Sequence, residues 1–169
     1  MPITPFHFGP GLLGKSILGR YFSFTAFVLS QLVIDVESAY YLLRSEWPLH
    51  RGLHTLLMAT GTGVVVGVFV HVAGRLADRR SRAFGGGIFA RRHECRLAAA
   101  VLGGALGGAS HSLLDSVMHS DVEPFSPLAT GNPLLGLIGV GALHLWCATA
   151  GLVAVGILMA RAWHRKRAV

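Results

Sequence analysis

The chain has 169 residues, of which 52% are hydrophobic and only 14% charged, and its formal net charge at pH 7 is +7. This composition excludes an ordinary soluble domain, because such domains carry about 25% charged residues. The basic residues neither alternate with stacking aromatics nor follow one recognition helix, so the positive charge does not indicate a nucleic-acid partner. The length predicts a single domain over residues 1–169.

Apolar runs predict one short helix and then four membrane-spanning helices. Residues 8–20 contain Pro10, a residue that favours helix starts, but too few apolar residues to cross a bilayer, which predicts a half-length helix. Four runs long enough to cross, at about 20 residues each, follow; they cover 21–43, 53–76, 97–118 and 134–160. Asn132 and Pro133 offer a cap and a first-turn proline to the last run. The predicted fold is therefore an all-α integral membrane bundle of four transmembrane helices with a short N-terminal half-helix.

The distribution of basic residues predicts the orientation of this bundle. Lys and Arg concentrate before the first span, between the second and third spans, and after the fourth. Short cytoplasmic loops carry such an excess, so both termini are expected in the cytoplasm. This orientation collects acidic and histidine side chains at the outer end of the bundle, namely Asp35, Glu37, Glu46, His50, His54, His111, Asp115, His119, Asp121 and Glu123.

The third predicted span carries three side chains that commonly bind metal ions. His111, Asp115 and His119 are four residues apart, which places them on one face of a helix. A charged side chain at the centre of a bilayer costs about 2.5–3.5 kcal/mol, and a bound cation offsets that cost. His119 falls at the edge of the membrane and is peripheral, so His111 and Asp115 are the predicted ligands.

Two further segments supply ligands at the same depth. His50 and His54 are also four apart, and a helix beginning by Leu49 would place both imidazoles on one face, a spacing that suits zinc. An interfacial pair of histidines without an ion is the alternative interpretation. Asp35 adds a carboxylate from the first span. Ligands from three helices at one depth favour a site for divalent metal ions.

Glu37 and Arg51 are the candidate catalytic residues. Two positions after Asp35, Glu37 points away from it on a regular helix, and it is expected either to support a ligand or to act as general base. Arg51 is expected to hold an anionic substrate or to stabilise developing negative charge, with a lipid-headgroup anchor as the alternative. Internal salt bridges explain the acidic residues less well, because Arg44 and Arg51 are the only Lys or Arg residues predicted on the outer side.

The third span also contains a set of small residues suited to close helix packing. Gly103, Gly104, Gly107 and Gly108 form two overlapping Gly-xxx-Gly pairs. Such pairs allow a neighbouring helix to approach closely. We expect that neighbour within the same chain, and the alternative is a homo-oligomer formed through this face.

Four elements of the sequence resemble those of the predicted inner-membrane metal-dependent hydrolases, a family whose better-known bacterial member is controlled by the SOS repressor. The elements are His7, Asp35-Val36-Glu37, His50-Arg51-Gly52-Leu53-His54-Thr55, and Gly107-Gly108-Ala109-Ser110-His111 with Asp115. Ile34 stands where the family has proline, and one residue fewer separates His50 from His54. The resemblance implies a multi-pass protein of the bacterial inner membrane. It also makes His7 a metal ligand, which requires residues 8–20 to return His7 to the outer side.

The sequence thus predicts a metal-dependent hydrolase at the outer membrane surface. The expected ligands of one or two divalent ions, zinc above all, are His7, Asp35, His50, His54, His111 and Asp115. A site at the membrane surface favours membrane lipid as the partner and a lipid or phosphoester as the substrate. The alternatives are a non-catalytic membrane protein with a structural or ion-handling metal site, and an assembly factor without a metal.

Overall fold

The computed structural model describes residues 5–83 and 93–167, which form five α-helices and no strand. The helices are α1 (Phe8–Leu18), α2 (Phe24–Leu43), α3 (Leu56–Ala83), α4 (Leu97–Met118) and α5 (Val140–Arg167). By length and composition α2, α3, α4 and α5 can each cross a membrane, whereas α1 has only 11 residues. The predicted all-α architecture of a half-helix followed by four apolar spans is confirmed.

The starts of the first two spans differ slightly from their predicted positions. Helix α2 begins at Phe24 instead of residue 21, because Ser23 caps it and accepts the N–H of Ala26 at 3.2 Å. Helix α3 begins at Leu56 instead of residue 53, after the 3-10 turn Gly52–His54. Helix α4 coincides with the predicted third span.

The fourth span begins later than its sequence suggests. Its start was predicted at residue 134, after a cap at Asn132, but α5 begins at Val140. The Asn132 side chain instead ties the preceding turn to the end of α4, donating to the carbonyl oxygens of Ser116 at 2.8 Å and His119 at 3.1 Å. Gly136 has a φ of +71°, which a right-handed helix does not accommodate. The predicted helix start at residue 134 was therefore wrong.

Helix α4 packs between α2 and α3, and glycines let the backbones touch. A Cβ atom at Gly104 would lie 2.0 Å from the carbonyl oxygen of Gly63, and one at Gly108 would lie 1.9 Å from that of Ala59. The other two glycines of the predicted packing set lie as closely against Ser23 and α2. These contacts favour the prediction that the glycine face is covered within the chain. Self-association through this face stays a prediction.

Helix α1 runs alongside α5 in the same direction. At its start the ring of Phe6 stacks on His144, with 4.6 Å between ring centroids. Near its end, the carbonyl oxygen of Ser16 accepts a hydrogen bond from Arg161. Helix α1 thereby brings His7 to the end of the bundle where α4 terminates. The side of the membrane that each end of the bundle faces stays a prediction.

An ion pair fixes α1 at the opposite end of the bundle. Lys15 pairs with Glu94, whose side chain is only 6% exposed, and also donates to the carbonyl oxygen of Phe22 at 2.8 Å. The backbone N–H of Thr25 donates to Glu94 at 3.3 Å. Burial acts to raise the pKa of Glu94, but the contacts with Lys15 and Thr25 outweigh burial and lower it. The ionised pair therefore joins α1 to the segment that precedes α4.

Candidate metal centre

Asp115 lies at the centre of a buried cluster of imidazoles near the end of α4. Oδ2 of Asp115 lies 3.2 Å from Nε2 of His111, 3.6 Å from Nε2 of His54 and 3.9 Å from Nε2 of His50. Oδ1 of Asp115 lies 3.7 Å from Nε2 of His7. No side chain of the five is more than 5% exposed. The structure thus brings all four predicted histidine ligands to one carboxylate.

Asp35 joins this cluster from α2. Its Oδ1 lies 3.5 Å from Nε2 of His111, and one ligand atom from each of Asp35, His54, His111 and Asp115 lies within 4.8 Å of the other three. Zinc ligands lie about 2.0–2.2 Å from the ion, so two ligands of one tetrahedral ion are about 3.3–3.6 Å apart. The distances in the cluster are close to this value, and the donor set therefore fits a shared divalent ion.

Several buried nitrogen atoms of the cluster lack a hydrogen bond. Among the described residues, no hydrogen bond of normal geometry reaches Nε2 of His7 or either ring nitrogen of His111, although carboxylate oxygens lie 3.7 Å and 3.2 Å from the two Nε2 atoms. A buried polar atom left in this state costs about 1–3 kcal/mol. Coordination of an ion would satisfy the Nε2 atoms. These orphaned atoms favour a metal centre over a simple network of hydrogen bonds.

Glu37 holds His54 in place for the cluster. Its Oε2 lies 3.1 Å from Nδ1 of His54, and its carboxylate accepts the backbone N–H groups of Arg51 and Leu53, each at 3.1 Å. A carboxylate at Nδ1 fixes the tautomer of an imidazole and leaves the lone pair on Nε2, which in His54 lies 3.2 Å from Oγ of Ser38 and 3.6 Å from Oδ2 of Asp115. These contacts favour the supporting role predicted for Glu37. The alternative role as general base stays a prediction.

Asp121 does the same for His50, and sequence reasoning did not select it. Its Oδ1 lies 2.9 Å from Nδ1 of His50, while its Oδ2 accepts the N–H groups of Leu49 at 2.9 Å and His50 at 3.1 Å. Burial acts to raise the pKa of Asp121, but these hydrogen bonds outweigh burial and lower it. The carboxylate is therefore charged at neutral pH. Asp121 lies in a loop, so no helical spacing points to it. The one feature of the sequence that could have identified it is an acidic residue close to the predicted site.

His50 and His54 would share one face of a helix only if that helix began by Leu49, and it does not. His50 lies in a bend, and His54 ends the 3-10 turn Gly52–His54 before α3 begins. Their ring centroids are nevertheless 4.6 Å apart. The carboxylates of Asp121 and Glu37, from other parts of the chain, position the two rings instead.

His119 lies beside the cluster, directly after the last residue of α4. Its ring stacks on that of His50, with 4.4 Å between centroids. His50, His119 and Asp121 form a second group that could hold a metal ion. His119 is thus closer to the site than its predicted peripheral position suggested.

A cavity of about 520 Å³ opens next to the cluster and contains Arg51 in its wall. The guanidinium carbon of Arg51 lies 3.5 Å from the centroid of the Tyr41 ring, and its Nη2 lies 3.5 Å from a carboxylate oxygen of Glu46. These contacts engage the guanidinium group of Arg51, and the predicted roles of Arg51 stay predictions. His50 lines the same cavity, so a molecule bound there would be one imidazole ring away from Asp115.

Comparisons of the chain with models of protein families, with curated proteins and with solved structures gave no match. The family resemblance of the sequence motifs therefore stays a prediction. The geometry describes a helical bundle of membrane type with a buried His/Asp cluster that could bind a metal ion.

Proposed function

We propose that the protein is a membrane-embedded, metal-dependent hydrolase of a bacterial inner membrane, with its site at the outer end of the bundle. The observation that carries this proposal is the convergence of four buried imidazole Nε2 atoms on the carboxylate of Asp115, beside an open cavity. The resemblance of the sequence motifs to predicted inner-membrane hydrolases supports the same activity. Zinc is the expected metal because it favours imidazole and carboxylate ligands.

The donor set is large for a single ion. The residues that would hold the metal are His7, Asp35, His50, His54, His111 and Asp115. A structural zinc ion is closed by four protein ligands, whereas a catalytic ion keeps one position open. These six donor residues, Asp115 among them, exceed the four that close a structural ion, so they could hold one or two divalent ions with a coordination position left open. Such ions, when bound, activate water near neutral pH and polarise the bond to be cleaved.

The remaining residues position these donors and a substrate. Glu37 and Asp121 fix the tautomers of His54 and His50, so that each presents Nε2 to Asp115. Arg51 lies in the cavity wall beside the carboxylates of Asp121 and Glu123, and it is the residue there that would hold an anionic substrate. A cavity at the end of a set of apolar helices favours a lipid or a phosphoester as that substrate.

The metal content of the protein purified in mild detergent tests this proposal. We expect at least about one zinc ion per chain, and hydrolysis of a chromogenic phosphoester that a chelator abolishes and added zinc restores. Less than about 0.1 ion per chain, unchanged by zinc addition, would contradict every metal-dependent function. Bound metal without hydrolysis of phosphoesters or carboxylic esters would instead support a structural or ion-handling site.

Substitution Glu37→Gln separates the two roles considered for this residue. Glutamine keeps the shape of glutamate but loses the negative charge beside Nδ1 of His54, so zinc affinity should fall about 10–100-fold. At saturating zinc, kcat should stay within about threefold of wild type if Glu37 only positions His54. Zinc competition titrations and kcat at saturating zinc measure the two effects.

Asp78, near the other end of α3, provides the control, and Asp78→Asn should change neither quantity. A fall in kcat of about 10²–10⁴-fold in Glu37→Gln, with zinc affinity unchanged, would identify Glu37 as the general base.

A further inference from the structure

A second group of side chains suited to metal binding lies beside the buried cluster. This group, the Asp121 group, consists of His50, His119 and Asp121, and one ligand atom from each lies within 4.8 Å of the other two. The first group of this kind, the Asp115 group, consists of Asp35, His54, His111 and Asp115. Because the two groups have no member in common, they offer places for two separate ions.

His50 faces a carboxylate on each side of its ring. Its Nε2 lies 3.9 Å from Oδ2 of Asp115, and its Nδ1 lies 2.9 Å from Oδ1 of Asp121. A neutral imidazole has one N–H group, so it can donate to only one of these carboxylates. All three side chains are at most 5% exposed, and the other carboxylate would face a nitrogen lone pair in a buried site. A cation on one side of the ring removes this conflict.

The side of Asp121 is the better place for that cation. There the ring of His119 stacks on His50, with 4.4 Å between centroids and 29° between planes, and adds a second imidazole. On the other side, the Asp115 group already supplies the four donors that close an ion without His50. Ligands of one tetrahedral zinc ion are about 3.3–3.6 Å apart, so an ion in place of the proton on Nδ1 moves His50 and Asp121 apart by only about 0.5 Å.

The Asp121 group opens on the polar cavity, whereas the Asp115 group does not. His50 and Asp121 line this cavity of about 520 Å³, and none of the four described members of the Asp115 group lines it. Structural zinc ions have four protein ligands, whereas catalytic zinc ions have three and keep one position open. The Asp115 group therefore fits a closed ion, and the Asp121 group fits an ion that a molecule in the cavity can reach.

We propose that His50, His119 and Asp121 bind a second divalent ion, separate from the ion of the Asp115 group and open toward the cavity. Metal ligands bind in their deprotonated form, so the proton of the His50 ring then lies on Nε2 and is donated to Asp115. Asp115 thereby supports His50, and its loss weakens both sites. That the second ion acts on a substrate rests on the proposed hydrolase function, whereas binding of this ion does not.

The number of zinc ions per chain tests the second site. The full-length protein in mild detergent is equilibrated with zinc as the only added metal, and native mass spectrometry counts the bound ions. We expect about two ions per wild-type chain and about one in His119→Ala, because His119 belongs to the Asp121 group alone. His164→Ala, which removes an exposed histidine near the end of α5, should keep both ions.

Three results of this count would overturn the proposal. They are one ion or none in the wild type, two ions in His119→Ala, and loss of both ions from a His119→Ala protein that still unfolds cooperatively. The last result would mean that the two groups form one site.

Asp121→Asn separates a ligand from a supporting residue. If Asp121 binds the second ion, this variant should also retain about one ion, whereas Glu123→Gln, in the same loop and cavity wall, should keep both. A single wild-type ion whose affinity falls about 10–100-fold in Asp121→Asn would mean that Asp121 only supports His50 as a ligand of the buried cluster. That result would overturn the second site.

The hydrolase proposal and the second site fail in different ways. Two ions per chain without any hydrolysis contradict the enzyme and leave the second site standing. Hydrolysis by a wild-type protein that binds one ion supports the enzyme and overturns the second site. If both proposals hold, His119→Ala should lose hydrolysis together with one ion, while its remaining ion should still raise the midpoint of thermal unfolding.

Discussion

Replacing Asp115 with asparagine is expected to remove the metal from the protein. Its carboxylate lies within 3.9 Å of Nε2 of all four imidazoles in the cluster. Asparagine keeps the shape of aspartate but offers a neutral amide, which is a poor zinc ligand. Loss of a residue that only supports a metal ligand lowers metal affinity about 10–100-fold. Loss of Asp115 itself should lower zinc affinity by more than that, and the rate of hydrolysis should fall with it. Elemental analysis after dialysis measures the zinc retained per chain.

A matched control is Asp78→Asn, which changes an aspartate near the other end of α3 and should keep full zinc content. Zinc binds the folded protein and should raise the midpoint of thermal unfolding of the wild type and of Asp78→Asn. Asp115→Asn should unfold cooperatively and show no such rise. Wild-type zinc content in Asp115→Asn would show that Asp115 does not hold the metal.

Local sequence patterns predicted the helix bounds and side-chain positions correctly wherever a single regular helix determines them. Helix α4 begins and ends where its apolar run does, since the run is long and its neighbours are polar. Within it, a spacing of four residues places His111 and Asp115 on one face, and their side chains meet at 3.2 Å. The same reasoning separated Asp35 from Glu37, and the former contacts His111 while the latter contacts His54.

Local patterns failed where distant residues determine the backbone. The segment before α3 bends because Glu37 and Asp121 accept its backbone N–H groups, across separations of 14 to 72 residues. Helix α5 begins later than predicted because the Asn132 side chain donates to carbonyl oxygens at the end of α4 instead of capping a helix. Such contacts leave no periodic signal in the sequence. His7 shows the same limit, because its place depends on how α1 packs against α5.

A second large effect is expected at the crossing of α3 and α4. A Cβ atom at Gly63 would lie 2.0 Å from the carbonyl oxygen of Gly104 and 2.6 Å from its carbonyl carbon. Backbone atoms cannot turn aside as a side chain can, so Gly63→Ala must push the two helices apart. We expect a loss of about 1–3 kcal/mol in the free energy of unfolding, which denaturation in mixed detergent micelles measures.

Gly61 is the natural control because it lies two residues away on the same helix, and a Cβ atom there would meet no described atom within 4 Å. Alanine is the better helix former by about 1 kcal/mol, so Gly61→Ala should be neutral or stabilising. Equal destabilisation by the two substitutions would show that the loss comes from the helix backbone and not from the crossing.

The same pair of variants connects this packing to the metal centre. His54 directly precedes α3, whereas His111 and Asp115 lie on α4, so the distance between these ligands depends on how closely the two helices approach. Gly63→Ala should therefore weaken zinc binding although Gly63 lies more than two turns from His54, and Gly61→Ala should not. Unchanged zinc affinity in a destabilised Gly63→Ala protein would mean that the segment holding His54, fastened by Glu37, keeps its position independently of α3.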